Sequence, residues 1–484
     1  MRMDLLLQEC GVLDVQGDPA TVDVTGIELD SQRVLPGMLF CCLPGRHLDG
    51  HDFAEAAIAR GATSLLVERF LPFSVPQARV MPGEARSTMA FMACAASGHP
   101  ADALRTFGVT GTNGKTTVTH MLGAILDRHG WKTEVIGTLD GARTTPESPE
   151  LQRRFADAKD AGCTAVAMEV SSHALVEHRV DGFTFDAAIF TNLGHDHLDE
   201  HRTIEAYFAA KASLFTPEHA RLGIVNIDDQ WGLRLARIAE IPLVTFSATR
   251  DASDVVLSPG KTEFTWRGVR VTTAFTGGFN VANAVAAATL AAEVGIETAE
   301  IADGLGVAHP VPGRFELVDV GGEVPFSVVV DYAHTPDGLG VALDASRVLA
   351  KDNRVLCVFG CGGDRDRAKR PAMGREASRR ADLVVLTSDN SRSEDPEAIV
   401  AEIVSGLEGP AEVIVELNRR LAIEYAINAA HSGDVVLVAG KGHEVTLVAG
   451  GLTEDFDDRI EVATALGRRF GGSSSVNLHG GGVS

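Results

Sequence analysis

The sequence predicts an α/β protein of three domains, the central one built on a parallel sheet around a phosphate-binding turn. Three observations predict it. Short apolar runs alternate with segments of helical apolar spacing along most of the chain, the pattern of strand–helix units that form parallel sheets. At 484 residues the chain exceeds one ordinary core, so two to four domains are expected. One stretch, Val109-Thr110-Gly111-Thr112-Asn113-Gly114-Lys115-Thr116-Thr117, lies between an apolar run at 107–110 and a segment where Val118, Met121, Leu122, Ile125 and Leu126 recur at helical spacing, with Gly130 as a stop.

The glycines of that stretch fit a tight strand-to-helix turn. Backbone N–H groups at a helix start are unpaired and carry the positive end of the helix dipole, so such a turn receives phosphate. Within Gly111, Thr112, Asn113, Gly114, Lys115, Thr116 and Thr117, the lysine can reach the outer phosphates of a nucleotide and the Thr116 hydroxyl can ligate Mg²⁺. Val109 stands where the general Walker pattern has its first glycine, and Gly108 comes one residue early. The match is therefore to a shorter variant, T-G-T-N-G-K-T-T. Binding of Mg·ATP is the expectation.

Residues 1–103 read as a small α/β unit. Runs at 22–29, 38–43 and 62–67 are expected strands, Pro36-Gly37 a turn, and 53–60 a helix capped by Asp52. Ser31, Arg33 and the polar loop 45–51 are candidates to meet a phosphorylated ligand, and ordinary turn chemistry accounts for them equally well.

Residues 104–312 hold the phosphate-binding turn. Thr144-Thr145-Pro146-Glu147 is a hydroxyl-rich loop leading into a helix. Buried strands are expected at 163–168 and 186–190. The first ends in Glu169-Val170-Ser171-Ser172-His173, with Arg179 beyond, and the second in Thr191 through His195-Asp196-His197-Leu198-Asp199. A helix at 203–215 carries Lys211, strands follow at 223–227 and 241–246, residues 253–275 alternate like antiparallel strands, and an Ala-rich helix at 280–294 bears Asn283. Ligand sites in open α/β sheets lie outside the carboxyl ends of the strands. Three such ends carry Lys115 with Thr116, Glu169, and His197.

Pro312-Gly313 marks the start of a third α/β unit, 313–470. Its strands at 326–330, 355–359, 383–386 and 435–438 end in Asp331-Tyr332-Ala333-His334, Gly360-Cys361-Gly362-Gly363-Asp364, Thr387-Ser388-Asp389-Asn390-Ser391-Arg392 and Gly440-Lys441-Gly442-His443-Glu444. Four polar strand ends imply a second ligand-binding edge. Residues 471–484 are rich in Gly and Ser and are expected to be disordered.

Composition narrows the partners. A net charge of −23 argues against nucleic acid, which is bound by basic surfaces. No apolar run approaches the ~18 residues that span a bilayer, and the N-terminus lacks the basic and apolar regions of a signal peptide. Seven cysteines, none in C-x-x-C, read as reduced thiols of a cytoplasmic protein. A monomer without a membrane partner is expected.

The run His195-Asp196-His197-Leu198-Asp199-Glu200-His201 nearly matches a transition-metal hydrolase motif, with Glu200 where the last histidine belongs. The neighbouring phosphate-binding turn favours Mg²⁺ and nucleotide instead, with Glu169 supplying a hard oxygen ligand. Taken alone, Glu169 or His197 is a polar strand end and Lys211 a solvated helix lysine.

Together these residues resemble the Mur ligase family, which adds amino acids to a UDP-muramoyl precursor of peptidoglycan. The likeness rests on Gly111–Thr117, Glu169–His173, Asn192 with His197-Leu198-Asp199, Tyr207-Phe208-Ala209-Ala210-Lys211, Asn280 to Asn283, Gly313-Arg314-Phe315-Glu316 and Asp331–Pro336, and it spans nearly the whole chain. Asp30-Ser31 with Pro36-Gly37, and Gly440 to Glu444, are similar to members that add the third residue. The resemblance implies an N-terminal UDP-sugar-binding domain, a central ATP-binding domain and a C-terminal Rossmann-like domain for the amino acid. It also implies a reaction. The side-chain carboxylate of D-Glu in UDP-N-acetylmuramoyl-L-alanyl-D-glutamate attacks ATP, forming an acyl phosphate and ADP, and the amine of the incoming residue displaces phosphate.

By the same resemblance, Lys115, Glu169, His197 and Lys211 are catalytic, and Thr116, Glu169, His197 and a carbamylated Lys211 surround Mg²⁺. Asn283, Arg314 and Asp331 contact the nucleotide. Ser31, Thr144, Thr145, Ser172 and Arg179 contact the UDP-sugar dipeptide, and Asp389, Asn390, Arg392, Gly440 and Glu444 the amino acid. Relatives that add meso-diaminopimelate carry D-N-P-R where this chain has Asp389-Asn390-Ser391-Arg392. Arg392 suits the far carboxylate that lysine lacks, so meso-diaminopimelate is expected, with L-lysine as the alternative because Ser391 replaces proline. A folylpolyglutamate-type ligase lacks the first 100 or so residues found here, and a bare nucleotide switch would not need Glu169, His197 and Lys211 together.

Overall fold

The computed structural model describes every residue except 46–47, 142, 195, 197, 321–322 and 472–484, and at 198 and 199 the backbone only. The fold is mixed α/β. Its contacts divide the chain into two compact units, one of Met1–Gly111, Leu126–Thr191 and Glu205–Thr245, the other of Thr112–Ile125, Asn192–Ile204 and Phe246–Ser484.

The first unit opens with a five-stranded sheet of β1 (Asp14–Gln16), β2 (Ile27–Glu28), β3 (Leu39–Cys41), β4 (Ser64–Val67) and β5 (Gln77–Arg79), in the order β1-β5-β4-β3-β2. All neighbours are parallel except β1, which runs antiparallel to β5. Apolar side chains fill both faces, with Leu39, Cys41, Leu66 and Ala78 on one side and Phe40, Cys42, Leu65 and Val67 on the other.

Two expectations for this sheet are corrected. The strand expected over 22–29 shrinks to Ile27–Glu28. Glu28 turns its carboxylate back onto the N–H groups of Leu29 and Asp30 (2.9 and 3.1 Å), which ends the ladder, while Val22 and Val24 bond the N-terminal segment instead. The helix begins at Ala54, and Asp49 rather than Asp52 caps the single 3-10 turn ahead of it. Asp49 accepts from the His51 N–H at 3.0 Å and from its ring Nδ1 at 2.6 Å. Because His51 Nε2 accepts from the Glu68 N–H at 3.0 Å, its proton sits on Nδ1.

The second sheet has six strands: β6 (Arg105–Thr110), β7 (Thr133–Ile136), β8 (Ala165–Glu169), β9 (Ala187–Phe190), β10 (Gly223–Asn226) and β11 (Leu243–Phe246), ordered β11-β10-β9-β6-β8-β7. Strands β8, β9 and β10 are buried at every position, which is why they read as unbroken apolar runs rather than alternating ones. Cys163 lies outside β8, in the turn after the helix Ser148–Asp160, where its N–H bonds Ala158 O. Strand order reverses around β6, which pairs with β8 on one side and β9 on the other. Gly111 and the turn after it therefore leave the sheet at its topological switch point.

The second unit contains an antiparallel sheet of β12 (Ala252–Ser258), β13 (Lys261–Trp266) and β14 (Val269–Thr273); the expected alternation appears in β13 and β14, while β12, with no buried position, does not follow it. A larger sheet comprises β15 (Glu316–Leu317), β16 (Ser327–Asp331), β17 (Val355–Phe359), β18 (Leu383–Leu386), β19 (Glu412–Val415) and β20 (Val435–Ala439), in the order β15-β16-β20-β17-β18-β19. Only β15 runs antiparallel. Register aligns Asp331, Ala439, Phe359 and Leu386 in one row, so the four polar runs leave the sheet side by side. Gly360 is needed at this edge: a Cβ there would lie 2.3 Å from Thr387 O. A hairpin of β21 (Thr446–Ala449) and β22 (Leu452–Asp455) follows.

One buried ion pair holds this edge from behind. Arg419 and Asp458 are both fully buried and bonded through two N–H···O contacts of 2.7 and 2.6 Å. The same guanidinium donates to Ala439 O at 2.9 Å and Ser388 O at 3.3 Å, tying together the ends of β20 and β18. Removing one partner leaves the other charge buried without its counter-ion. Asp458→Ala should destabilise the unit by about 3–5 kcal/mol, read from the shift in its urea unfolding transition.

Candidate active site

At the carboxyl edge of the second sheet, Glu169 is the last residue of β8 and lies opposite Val109 in the register with β6. It is 1% exposed. Its Oε1 accepts from the Thr138 N–H at 2.8 Å, and a Cβ at residue 137 would come within 2.3 Å of that oxygen, so Gly137 makes room for it. Thr145 donates its hydroxyl to Glu169 O at 2.9 Å and accepts from the Ser171 N–H at 3.0 Å. Thr144 and Thr138 share a hydroxyl contact of 3.1 Å. Ser172 is buried at the start of a short helix whose N-cap is Ser171. Lys211, 1% exposed on the helix Ile204–Ala212, donates to Gly111 O at 2.8 Å, with its ammonium 4.6 Å from the centre of the Tyr207 ring.

Arg179 extends the cluster. It donates to Thr145 O at 3.1 Å and pairs with Glu147 at 3.0 Å and with Glu177. Arg86, from the helix Ala85–Ala96, reaches the other oxygen of Glu147 at 3.1 Å. Burial would raise the Glu177 carboxyl, but the neighbouring Arg86 and Arg179 outweigh burial and hold it below its ordinary range. Ser31 sits in the turn that Glu28 organises. That turn is bonded to the helix that follows the threonine loop, through Arg153 to Ile27 O (3.2 Å) and to Glu28 (3.6 Å). The structure thus gathers Thr144, Thr145, Glu169 and Arg179 and ties the Ser31 turn to the same loop-and-helix segment.

In the second unit, the phosphate-binding turn is braced by Asn192. Thr112 N–H donates to Asn192 O and Asn113 N–H to Asn192 Oδ1, each at 2.9 Å, and Asn192 Nδ2 returns a bond to Asn113 O at 3.1 Å. Lys115 Nζ donates to Thr112 O at 3.0 Å, and Thr116 and Thr117 are buried. Gly114 has φ +88°, and a Cβ there would meet Asn283 Oδ1 at 2.4 Å. Asn283 is held by Asn280 Oδ1 at 2.8 Å. The turn therefore needs glycine both for its backbone angle and for the closeness of Asn283. His197 lies outside the described residues.

The other edge in this unit carries the remaining candidates. Asp331 accepts from the Phe315 and Ala333 N–H groups at 2.7 and 2.8 Å, and burial raises its carboxyl against the lowering effect of Arg314. Arg314 lies over the Tyr332 ring at 4.4 Å, and His443 flanks the same ring at 5.0 Å. Burial pushes the His443 imidazole down to about 4, so it is neutral at ordinary pH. Asn390 donates to Glu444 at 2.8 Å. Lys441, fully buried, bonds Glu444 at 3.2 Å and Thr446 O at 2.6 Å and lies 3.9 Å from Asp389. Gly440, at φ +114°, lies against the Asp389 carboxylate. Arg392 has φ +51° and donates to Gly363 O at 2.6 Å.

Sequence reasoning missed Arg86, Glu147 as more than a loop residue, and Lys441 as the cation that orients Glu444. Lys441 stood between two glycines at a strand end, a signal that could have found it. Arg86 lies far from any motif in the chain and only the fold brings it to Glu147.

The family description "Mur ligase middle domain" matches residues 109–291, "Mur ligase, glutamate ligase domain" matches 313–442, and "Mur ligase family, catalytic domain" matches 23–89. A protein of Gloeobacter violaceus named UDP-N-acetylmuramoyl-L-alanyl-D-glutamate--2,6-diaminopimelate ligase is 43% identical, over 97% of this chain and 99% of its own. One of Geobacillus kaustophilus with the same name is 44% identical over 92% and 96%. A solved structure described by that name superposes with a TM-score of 0.67 at 30% identity, covering 97% of this chain and 99% of its own. With three family descriptions laid end to end along it and full-length relatives of this identity, the chain belongs to the Mur ligase family.

Proposed function

We propose that this protein is an ATP-dependent, ADP-forming ligase that joins meso-diaminopimelate to the D-Glu side-chain carboxylate of UDP-N-acetylmuramoyl-L-alanyl-D-glutamate. The observation that carries this reading is the end-to-end likeness to ligases of that name. Three functional segments follow from it: 1–103 for the UDP-sugar, 104–312 for ATP and 313–470 for the amino acid. Among the described residues no helix is long and apolar enough to cross a membrane, and the reading places the enzyme, as a monomer, in the cytoplasm.

The residues fit the chemistry. Lys115 and the N–H groups from Gly111 to Thr117 hold the phosphates, and Asn283, Arg314 and Asp331 hold the rest of the nucleotide. The Thr116 hydroxyl and the buried Glu169 carboxylate are hard oxygen donors of the kind Mg²⁺ prefers, and Mg²⁺ when bound neutralises charge on the transferring phosphoryl group. His197 belongs to the same proposed set. Lys211 as an ammonium cannot be a ligand. As a carbamate it would offer oxygen, and its burial against Gly111 O and the Tyr207 ring holds it in one place.

Arg179, Ser172, Thr144, Thr145 and Ser31 orient the UDP-sugar dipeptide so that its carboxylate meets the γ-phosphate in line. The acyl phosphate that forms is then attacked by the amine of the diamino acid, and phosphate leaves. Asp389, Asn390, Gly440 and Glu444 receive the amino acid, with Glu444 on an ammonium, and Arg392 takes its far carboxylate. Both steps concentrate negative charge, so fixed cations supply much of the rate.

Two outcomes test this. ADP release with ATP, Mg²⁺ and the UDP-sugar dipeptide should depend on meso-diaminopimelate. Release with L-lysine alone would keep the ligase and remove Arg392 as selector, and no release with either would overturn the reading. Lys115→Ala and Glu169→Gln should each lower kcat about 100-fold or more, measured by the same ADP assay with the melting temperature as a folding control.

A further inference from the structure

We propose that Glu147 is a positioning residue for the acidic substrate: its buried carboxylate bridges Arg86 and Arg179 and fixes the Arg179 guanidinium toward the bound anion. The inference rests on the reading above, in which Arg179 meets the UDP-sugar dipeptide. Nothing in the family descriptions or the relatives' names gives Glu147 or Arg86 a part.

Glu147 occupies the N-cap position of the helix Ser148–Asp160, a place that Ser, Thr, Asp and Asn favour and glutamate does not. Here it makes no cap bond. It is 5% exposed, and its oxygens face Arg179 at 3.0 Å (Oε1) and Arg86 at 3.1 Å (Oε2), with the more exposed Arg143 farther off at 3.9 Å from Oε1. Burying a carboxylate costs stability unless it is paired. The pairing compensates that cost and fixes both arginines in place.

The geometry at Arg179 points the same way. One terminal nitrogen donates to Thr145 O, and the other faces Glu147 and Glu177. Its Nε is buried and has no hydrogen-bond partner among the described residues. Held at both terminal nitrogens, the guanidinium keeps one orientation and still has donors in hand for an anion, since an arginine carries five. Thr145, which takes the bond from Arg179, also bonds the main chain of Glu169 and Ser171. Thr145 therefore couples the placement of Arg179 to the strand end that carries Glu169, while Glu147 holds the other terminal nitrogen.

Glu147→Gln keeps the shape and removes the charge. In the full-length protein, the KM for the UDP-sugar dipeptide should rise about tenfold, while kcat and the KM values for ATP and meso-diaminopimelate stay within about twofold, the pattern of a lost binding interaction. Glu147→Asp should recover part of the loss. Arg86→Lys, which keeps the charge and loses the planar fork, should move the same KM in the same direction by less, and it keeps the test open should Glu147→Gln not fold. A dipeptide KM unchanged in these variants, or all three KM values rising together with a fall in melting temperature, would overturn the role of Glu147. A wild-type protein that neither binds nor turns over the UDP-sugar dipeptide would instead overturn the functional reading beneath it, and this proposal with it.

Discussion

Parallel strands share one carboxyl edge, and the register of each six-stranded sheet decides which residues reach it together. In the second sheet, pairing of Val109 with Glu169 and of Thr110 with Phe190 brings the ends of β6, β8 and β9 to one level. In the large C-terminal sheet, the row of Asp331, Ala439, Phe359 and Leu386 does the same for four polar runs. A register shift of one residue in any of these strands would turn its buried side chains toward the opposite face. With both faces buried, what resists such slips is the close fit of side-chain volumes on each face. The apolar content of the strands thus fixes where the polar chemistry stands.

Once at the edge, the charged groups are held by one another. Glu147 lies between Arg86 and Arg179, Glu444 between Asn390 and Lys441, and Arg419 against Asp458. Each is buried or half-buried, and none could stay so without its partner. The pairing restricts side chains that would otherwise sample many rotamers, which is what a site for a multiply charged substrate requires. The acidic net charge of the chain fits this picture, because the cations a phosphorylated substrate needs are few and locally placed rather than spread over the surface.

Much of this was legible in the sequence for a physical reason. Strands buried on both faces leave unbroken apolar runs, so β6, β8, β9, β17, β18 and β20 were visible, and the glycines, lysine and threonines after β6 fixed the turn. Local competition was harder to read. Glu28 ends its strand by bonding the two N–H groups that follow it, and Asp49 caps a turn three residues ahead of the Asp52 that pattern alone favours. The short strand Asp14–Gln16 exists because it pairs with Gln77–Arg79, which in turn extends the sheet from β4, and no local pattern announces either pairing. The Arg86–Glu147–Arg179 cluster was illegible for the same reason. Its members are separated by dozens of residues and lie in no shared motif, so only the packing of the helix Ala85–Ala96 against the helix Ser148–Asp160 brings them together.

The run Asp389-Asn390-Ser391-Arg392 shows how one substitution is absorbed. A proline at 391, as in the relatives that the sequence resembles, would stiffen the chain ahead of Arg392. Here other contacts supply that constraint. Arg392 N–H bonds Val448 O and Arg392 O accepts from Gly450 N–H, a short parallel bridge to the hairpin of β21 and β22. Gly363 O takes the guanidinium at 2.6 Å, and a Cβ at Gly363 would fall 2.0 Å from Ser391 O, so the two loops are packed backbone to backbone. Ser391 is 1% exposed, with its hydroxyl buried and unpartnered. A residue so enclosed has little freedom for a proline ring to remove. The left-handed backbone of Arg392, at φ +51°, is strained for a non-glycine residue and persists because both neighbouring loops enforce it. The placement of Arg392 therefore depends on the hairpin and the Gly360–Asp364 loop, more than on the residue before it.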